Sequence, residues 1–445
     1  MTSSIRQEAA QAETQRRGDH ETRDDGTNAQ EQEEEDRISK LPDDILVYTL
    51  DKLPFLSEAV RTSVLSRRWR HLTGYHSVIF LNVGHYQPTG NSTIYTHDEL
   101  VQANASVIKA LKGILENNSQ HTIMHLGIIF YLRDESIDIV GCVDNAMANR
   151  KIEDAMFKII PEMIDKYCTD DDMLTYGRRF ITLFDSFPRA FGGLTDLRIH
   201  SLRLGKLDIP NVLNTCKKLE FHSLQNCDAG IRSVLQIKHA QLAELSIIGC
   251  GYETVELNWL PELTHVTCRT WVPSQDKYPL SFGHVPKLCV LKLSNGGSTL
   301  HKTFKLSEFL ANVTIGELEL NFICEKIWIQ PEAPRLLASV LQNLQEVRLR
   351  YIHEECDLTW TMFFLEAAPL LRELNIQCAT DYDVLLESVG TSPGSSHTRA
   401  RTEVEDNEQC TLDNGDERPR PPSRPVWDHT CYSSEEDEYK EHAEL

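Results

Sequence analysis

Twelve cysteines and seventeen histidines supply the raw material for metal binding or nucleophilic chemistry, and their spacing argues against both. The cysteines are scattered singly with no Cys-x-x-Cys pair, so neither a zinc site nor a redox dithiol has its usual spacing. His353-Glu354-Glu355-Cys356 gathers three ligand types, yet adjacent residues cannot all reach one ion without distant partners. The run reads as a polar loop. Covalent group transfer needs a thiol set apart by its surroundings, and nothing in the sequence distinguishes one of the twelve. Phosphate-loop, nucleophile-elbow and His-Glu-x-x-His patterns are missing. Gly249-Cys250-Gly251 is a turn, because no helix with a third glycine follows it. The sequence predicts no catalytic residue, no metal and no cofactor.

The remaining chemistry is that of contact. From about residue 190 the spacing Leu-x-x-Leu-x-Leu recurs at Leu194, Leu197, Ile199; Leu242, Leu245, Ile247; and Leu288, Leu291, Leu293. It returns at Ile315, Leu318, Leu320; Leu344, Val347, Leu349; and Leu371, Leu374, Ile376, with weaker copies at Leu219, His222, Leu224 and Leu263, Val266, Cys268. Between middle residues the steps are 25, 23, 21, 25, 27, 29 and 27, the range of leucine-rich repeats. Each unit is expected to give one short strand with its Leu positions in a shared core and the interleaved positions outside. Cys227 and Cys250 stand three residues beyond the last apolar position, where they would satisfy backbone groups at a turn. The other units lack such a residue, which predicts an irregular array.

The outward positions form the candidate substrate-binding face: Asp196, Arg198, His200, Glu244, Ser246, His265, Thr267, Arg269, Lys292, Glu317, Glu319, Glu346, Arg348, Arg350, Glu373 and Asn375. Each alone is an ordinary solvated side chain; the ladder as a set suits protein recognition. Its mixed charge predicts a protein or peptide ligand.

A second binding element precedes the repeats. Three short helical patterns follow one another from Ile38. The first opens on Leu41-Pro42-Asp43-Asp44, with proline in the first turn and carboxylates at the positive end of the dipole. Ile45, Leu46, Leu50 and Leu53 then share a face until Pro54 stops it. Ser57 can cap a second helix carrying Val60 and Val64, and Leu65, Trp69 and Leu72 mark a third. So short a segment buries too little surface to stand alone, and its apolar faces call for a partner.

These residues, Leu41 to Leu46, Leu53-Pro54 and Ala59 to Leu72, resemble the F-box of plant F-box proteins. Phe191-Gly192-Gly193-Leu194, Asp208-Ile209-Pro210-Asn211, Cys227 to Gln236 and Val255 to Pro261 are similar to plant F-box proteins with leucine-rich repeats. Phe363 to Pro369 and Val426-Trp427-Asp428-His429 resemble their FBD-type C-terminal region, here interrupted by about 47 polar residues. The resemblance implies docking to a Skp-type adaptor, and through it a cullin. The contacts it implies are Leu41, Pro42, Ile45, Leu46, Leu50, Leu53, Pro54, Ser66, Arg68 and Trp69. It implies a non-catalytic substrate-recognition subunit of an SCF-type ubiquitin ligase with an unknown protein substrate. Thr73 stands where the family often has an aromatic residue. That departure keeps open an alternative, an interaction protein no longer coupled to a ligase.

Charge and hydropathy set the remaining bounds. The net charge of -22 is concentrated at the ends: residues 1–36 hold 4 basic and 11 acidic residues, and residues 379–445 hold 6 and 17. Such a chain repels phosphate backbones, so the arginines around Trp69 are not taken as a DNA-recognition helix and no nucleic-acid partner is expected. The longest apolar run, Leu126–Leu132, is too short for a membrane helix, and with no positively charged leader followed by an apolar stretch a cytoplasmic or nuclear location is expected. Ser433 and Ser434 before Glu435-Glu436-Asp437-Glu438 fit an acidophilic kinase, although solubility alone accounts for the run.

The expected architecture is α/β. A disordered acidic leader (1–36) precedes a three-helix F-box (37–75), degenerate early repeat units (76–190), repeats with an FBD-like end on a parallel-sheet solenoid (191–378), and a disordered acidic tail (379–445). Within the early units, residues 98–116 suggest a helix, Thr122–Leu132 a buried strand and Ile152–Ile164 a mixture.

Overall fold

The computed structural model describes residues 38, 40–50, 65–72, 77–86, 95–116, 122–163, 167–230, 232–272, 274, 276–296, 304–323 and 327–379. The acidic leader, the helix expected after Ser57, Leu53, Pro54, Thr73, the Val426-Trp427-Asp428-His429 segment and the serines before the terminal acidic run lie outside the described residues. The chain divides into two compact units, Met1–Leu46 and Val47–Leu445. In the first, Leu46 N donates to Pro42 O at 3.1 Å and opens helix α1 (Asp43–Leu50), with Asp43 and Asp44 in its first turn. Helix α2 (Arg67–Leu72) belongs to the second.

Eleven parallel strands make the main sheet of the second unit. In order of pairing they are β1 (Val78–Asn82), β2 (Ile123–Tyr131), β3 (Ile152–Ile160), β4 (Asp196–His200), β5 (Phe221–Gln225), β7 (Glu244–Ile248), β9 (His265–Arg269), β11 (Val290–Ser294), β12 (Glu317–Asn321), β13 (Glu346–His353) and β14 (Glu373–Ala379). The register aligns Leu197, His222, Leu245, Val266, Leu291, Leu318, Val347 and Leu374 in one cross-strand row. These are the middle residues whose steps marked the repeats. All eight are buried, together with their inward neighbours from Ile199 to Leu349.

One expectation needs correction. The middle units give two strands each, because β6 (Ser233–Lys238), β8 (Tyr252–Trp259) and β10 (Leu280–His284) form a second parallel sheet in the order β10-β8-β6. Leu235, Ile237, Val255, Leu257, Leu280 and Phe282 alternate with more exposed residues and bury on one side, the period of a strand.

The chain leaves the main sheet through a repeated device. Ser201, Asn226, Gly249 and Thr270 follow β4, β5, β7 and β9 directly and have φ of 55°, 48°, 60° and 48°. A left-handed residue turns the backbone out of the strand, and at residue 249 a glycine takes that conformation without steric cost. The amide of each donates to the next strand, from Ser201 N to Gln225 O at 2.9 Å through Thr270 N to Ser294 O at 2.8 Å. Cys250 Sγ donates to Leu224 O at 3.3 Å and Cys227 Sγ to Gln225 O at 3.2 Å, so both thiols serve carbonyls at the end of β5.

Longer helices flank β1 to β4. Helix α3 (His97–Glu116) starts at a reciprocal cap in which Thr96 N donates to Glu99 Oε2 at 2.7 Å and Glu99 N to Thr96 Oγ1 at 3.3 Å. Helices α4 (Ser136–Asn149) and α5 (Asp170–Ser186) were not legible as such. The α5 start is again a capping box, Thr169 with Asp172. Of the mixed stretch, residues 152–160 form strand β3, which ends before Pro161.

Short helices α6 (Pro188–Gly192), α7 (Asp208–Thr215), α8 (Leu306–Phe309), α9 (Pro334–Leu337) and α10 (Met362–Ala367) complete the connections. Phe130, Phe157, Phe180, Phe184 and Phe191 make an aromatic cluster with centroids 5.1–6.2 Å apart, which fixes α5 and α6 against the sheet.

Candidate functional site

Helix α1 divides the apolar residues of the F-box segment between two faces. Leu46 and Leu50 are buried, whereas Leu41, Ile45 and Tyr48, spaced four and three apart, are 38, 43 and 60 % exposed. Ile45 therefore does not share a face with Leu46 and Leu50, because consecutive helical residues point about 100° apart. Pro42 is also exposed.

In α2, Trp69 and Leu72 are buried, and Ser66 Oγ accepts from Trp69 N at 3.2 Å. Ser66 is thus a helix cap. Of the expected adaptor contacts, Leu41, Pro42 and Ile45 lie at the surface and Arg68 is half-buried, while Leu46, Leu50 and Trp69 are interior residues.

The sheet brings all sixteen expected face residues onto one side in three rows across the strands. The first runs Asp196, Phe221, Glu244, His265, Val290, Glu317, Glu346, Glu373. The second runs Arg198, Ser223, Ser246, Thr267, Lys292, Glu319, Arg348, Asn375. The third runs His200, Gln225, Ile248, Arg269, Ser294, Asn321, Arg350. Phe221, Ser223, Gln225, Ile248, Val290, Ser294 and Asn321 were missed. Their strands were found, so counting every second residue would have supplied them.

The rows are polarised. The first holds five carboxylates and no lysine or arginine; the second and third together hold five cations and one carboxylate. Ion pairs join the rows near both ends. Arg198 Nη2 is 2.8 Å from Asp196 Oδ2, and its guanidinium lies 4.5 Å from the Phe221 ring centre. Arg348 pairs with Glu346 and lies 3.8 Å from Glu317, and Arg350 is 3.3 Å from Glu319. Burial, with Glu317 and Glu373 alongside, raises the Glu346 carboxyl above its ordinary range against the pull of Arg348. Toward β1 the same side closes: Ile129, Tyr131 and Met156 are buried, and a Cβ on Gly127 would come within 2.6 Å of the Phe80 ring.

Elsewhere, an open concavity of about 430 Å³ is lined by Leu207, Pro210, Lys217, Lys238 and Trp259, with Leu207 and Trp259 exposed. Among the described residues no group of three or more His, Cys, Asp or Glu is placed to hold a metal ion. His353 accepts from Glu355 N at its Nδ1 in the turn after β13. Among those residues no helix is long and apolar enough to cross a membrane.

Comparison with known proteins joins the two surfaces. The F-box domain family matches residues 38–80. An FBD-associated F-box protein of Arabidopsis thaliana is 24 % identical over 362 residues, 79 % of this chain and 77 % of that protein. The chain thus carries an F-box domain and is similar to plant F-box proteins with leucine-rich-repeat and FBD features. F-box/LRR-repeat protein 25 of Arabidopsis thaliana is 26 % identical to this chain over 197 residues, 44 % of this chain and 69 % of that one. A further Arabidopsis thaliana F-box protein is 35 % identical over 82 residues, covering 18 % of this chain and 17 % of its own length. Proteins with an F-box typically work in SCF ubiquitin ligases, and those with leucine-rich repeats are generally non-catalytic adaptors.

Proposed function

We propose that this chain is the substrate-recognition subunit of an SCF-type ubiquitin ligase, acting in the cytoplasm or nucleus. The F-box binds a Skp-type adaptor and through it a cullin, and the outward face of an irregular leucine-rich-repeat solenoid binds a target protein. The observation that carries the reading is the F-box match over residues 38–80, within which Leu41 and Ile45 are exposed.

No chemistry is required of the chain itself. Holding a target beside a separate conjugating enzyme raises the effective concentration of its lysines, and proximity supplies the rate. The test is capture of a recombinant Skp-type adaptor by the full chain. Leu41→Ala with Pro42→Ala, both exposed, is expected to abolish capture with little effect on folding. Undiminished capture by the double variant sinks the assignment. If the wild-type chain captures no adaptor while its repeats still hold a partner, the chain is an uncoupled interaction protein.

A further inference from the structure

The outward face has an uneven distribution of charge already engaged within the chain. Of the five cations on its second and third rows, Arg198, Arg348 and Arg350 are held by carboxylates of the same face. Arg269 on β9 and Lys292 on β11 form no ion pair among the described residues, and Arg269 is exposed. Both occupy the middle of the face. Beside them Ser223, Ser246 and Thr267 stand in register on adjacent strands, half-buried, with side-chain hydroxyls that make no hydrogen bond among the described residues. The nearby carboxylates Glu317 and Glu319 are engaged by Arg348 and Arg350. The remaining acids lie along the first row, at the opposite margin.

On this basis, and resting on the reading of this face as the substrate surface, we infer that its middle binds an acidic peptide segment in extended form, running across β5 to β11. Its carboxylates meet Arg269 and Lys292, and its backbone meets the hydroxyl row.

The spacing supports acids at alternate positions. Arg269 and Lys292 are diagonal neighbours, since Thr267 pairs with Lys292 and Arg269 with Ser294. Such neighbours are roughly 8 Å apart, and alternate residues of an extended peptide are about 7 Å apart on the same side. The four-strand track is roughly 14 Å long, which about four extended residues cover. The acidic first row sets the lateral position: a negative segment is repelled from that margin and drawn toward the C-terminal ends of the strands. The ion pairs at both ends neutralise the flanks and leave the middle as the unsatisfied positive region.

The probe is a fluorescein-labelled peptide of alternating glutamate and serine, titrated into the full chain and followed by anisotropy, beside a glutamine–serine counterpart. The glutamate peptide is expected to bind, to weaken as salt is added, and to exceed its counterpart by about tenfold. Arg269→Glu with Lys292→Glu should remove the difference. Arg269→Gln with Lys292→Gln, which adds no repulsion, should reduce it by about tenfold. Lys109→Glu with Lys112→Glu, on the exposed side of α3, makes the same change in net charge and should leave binding within about twofold.

Equal binding of the two peptides, or equal loss in the α3 variant, overturns the inference. Adaptor capture by the Arg269/Lys292 variants reads the ligase assignment separately. Capture without peptide binding in the wild-type chain rejects the acidic ligand alone. Peptide binding without capture rejects the ligase role alone.

Discussion

His222 occupies a row that is otherwise Leu or Val, and the substitution His222→Leu tests how the buried ladder tolerates a polar group. The imidazole is fully buried on β5. Its Nδ1 lies 2.8 Å from Leu197 O, so that nitrogen carries the proton and donates, and Nε2 is left without a partner. Burial, opposed by the Leu197 carbonyl, pushes its pKa down to about 4 from 6.5. Above pH 6.5 the ring is neutral in both folded and unfolded chains. Between 6.5 and about 4 only the unfolded chain binds the proton, so stability falls as the pH falls; below that range the loss saturates.

Each pH unit within that window costs about 1.4 kcal/mol, or about 2 kcal/mol on going from pH 7.5 to pH 5. Whatever Leu does to stability at the higher pH, the gap between variant and wild type should move by that amount in favour of the variant at pH 5. His239, whose pKa burial also lowers, is present in both proteins and cancels. Urea unfolding at the two pH values measures the gap. Hydrogen exchange at β4 to β7 localises it, because repeat arrays can open in parts. A gap that stays constant within about 0.5 kcal/mol refutes the idea that a neutral, desolvated His222 is what couples this row to pH.

Other perturbations probe separate features. Gly177→Ala places a Cβ 2.0 Å from the Arg203 carbonyl oxygen, where Arg203 N already donates to Met173 O at 3.0 Å. The carbonyl is backbone and the Cβ is fixed rigidly to the helix backbone, so no side-chain rotation relieves the clash; a loss of about 3 kcal/mol in urea unfolding is expected, and a loss under about 1 would contradict the close approach. Glu162→Ala leaves Arg133, only 5 % exposed, with Glu135 as its one carboxylate and deprives Arg179 of its own. A destabilisation of about 2 kcal/mol should follow, partly restored by Glu162→Gln. Alkylation followed by mass spectrometry should label exposed Cys289 well before the buried Cys227, Cys250 and Cys268, and burial holds the Cys227 and Cys268 thiols above their ordinary range. Early labelling of Cys227 or Cys250 would remove them from the turns.

What could be read in advance follows the range of the interactions involved. The repeat steps were legible because each Leu triplet is a local pattern, and the register then places Leu197 beside His222 and Val347 beside Leu374. The second sheet was not. Ser233–Lys238 and Tyr252–Trp259 carry a strand's alternation, yet their role depends on lying parallel to one another about twenty residues apart in sequence. Helix α5 escaped because part of its apolar surface is aromatic and spent on a cluster shared with β2, β3 and α6. In the F-box segment the apolar spacing put Ile45 and Leu46 on one face, whereas Leu46 is buried and Ile45 is exposed.

The same locality explains why the face can be specialised without endangering the fold. In a stacked array each strand is stabilised mainly by its immediate neighbours, and the inward row supplies that stability almost alone. Outward residues are then constrained chiefly by one another. Opposite charges fixed on adjacent strands satisfy each other at the margins, as Arg348 does with Glu317 and Arg350 with Glu319. Arg269 and Lys292 contribute nothing comparable to the array. Replacing both by Ser should therefore leave the urea midpoint unchanged within about 0.5 kcal/mol, whereas Arg348→Ser, which strands Glu317 and the half-buried Glu346, should lower it by about 1 kcal/mol. Equal losses in the two variants would mean that the middle cations serve the fold rather than a ligand.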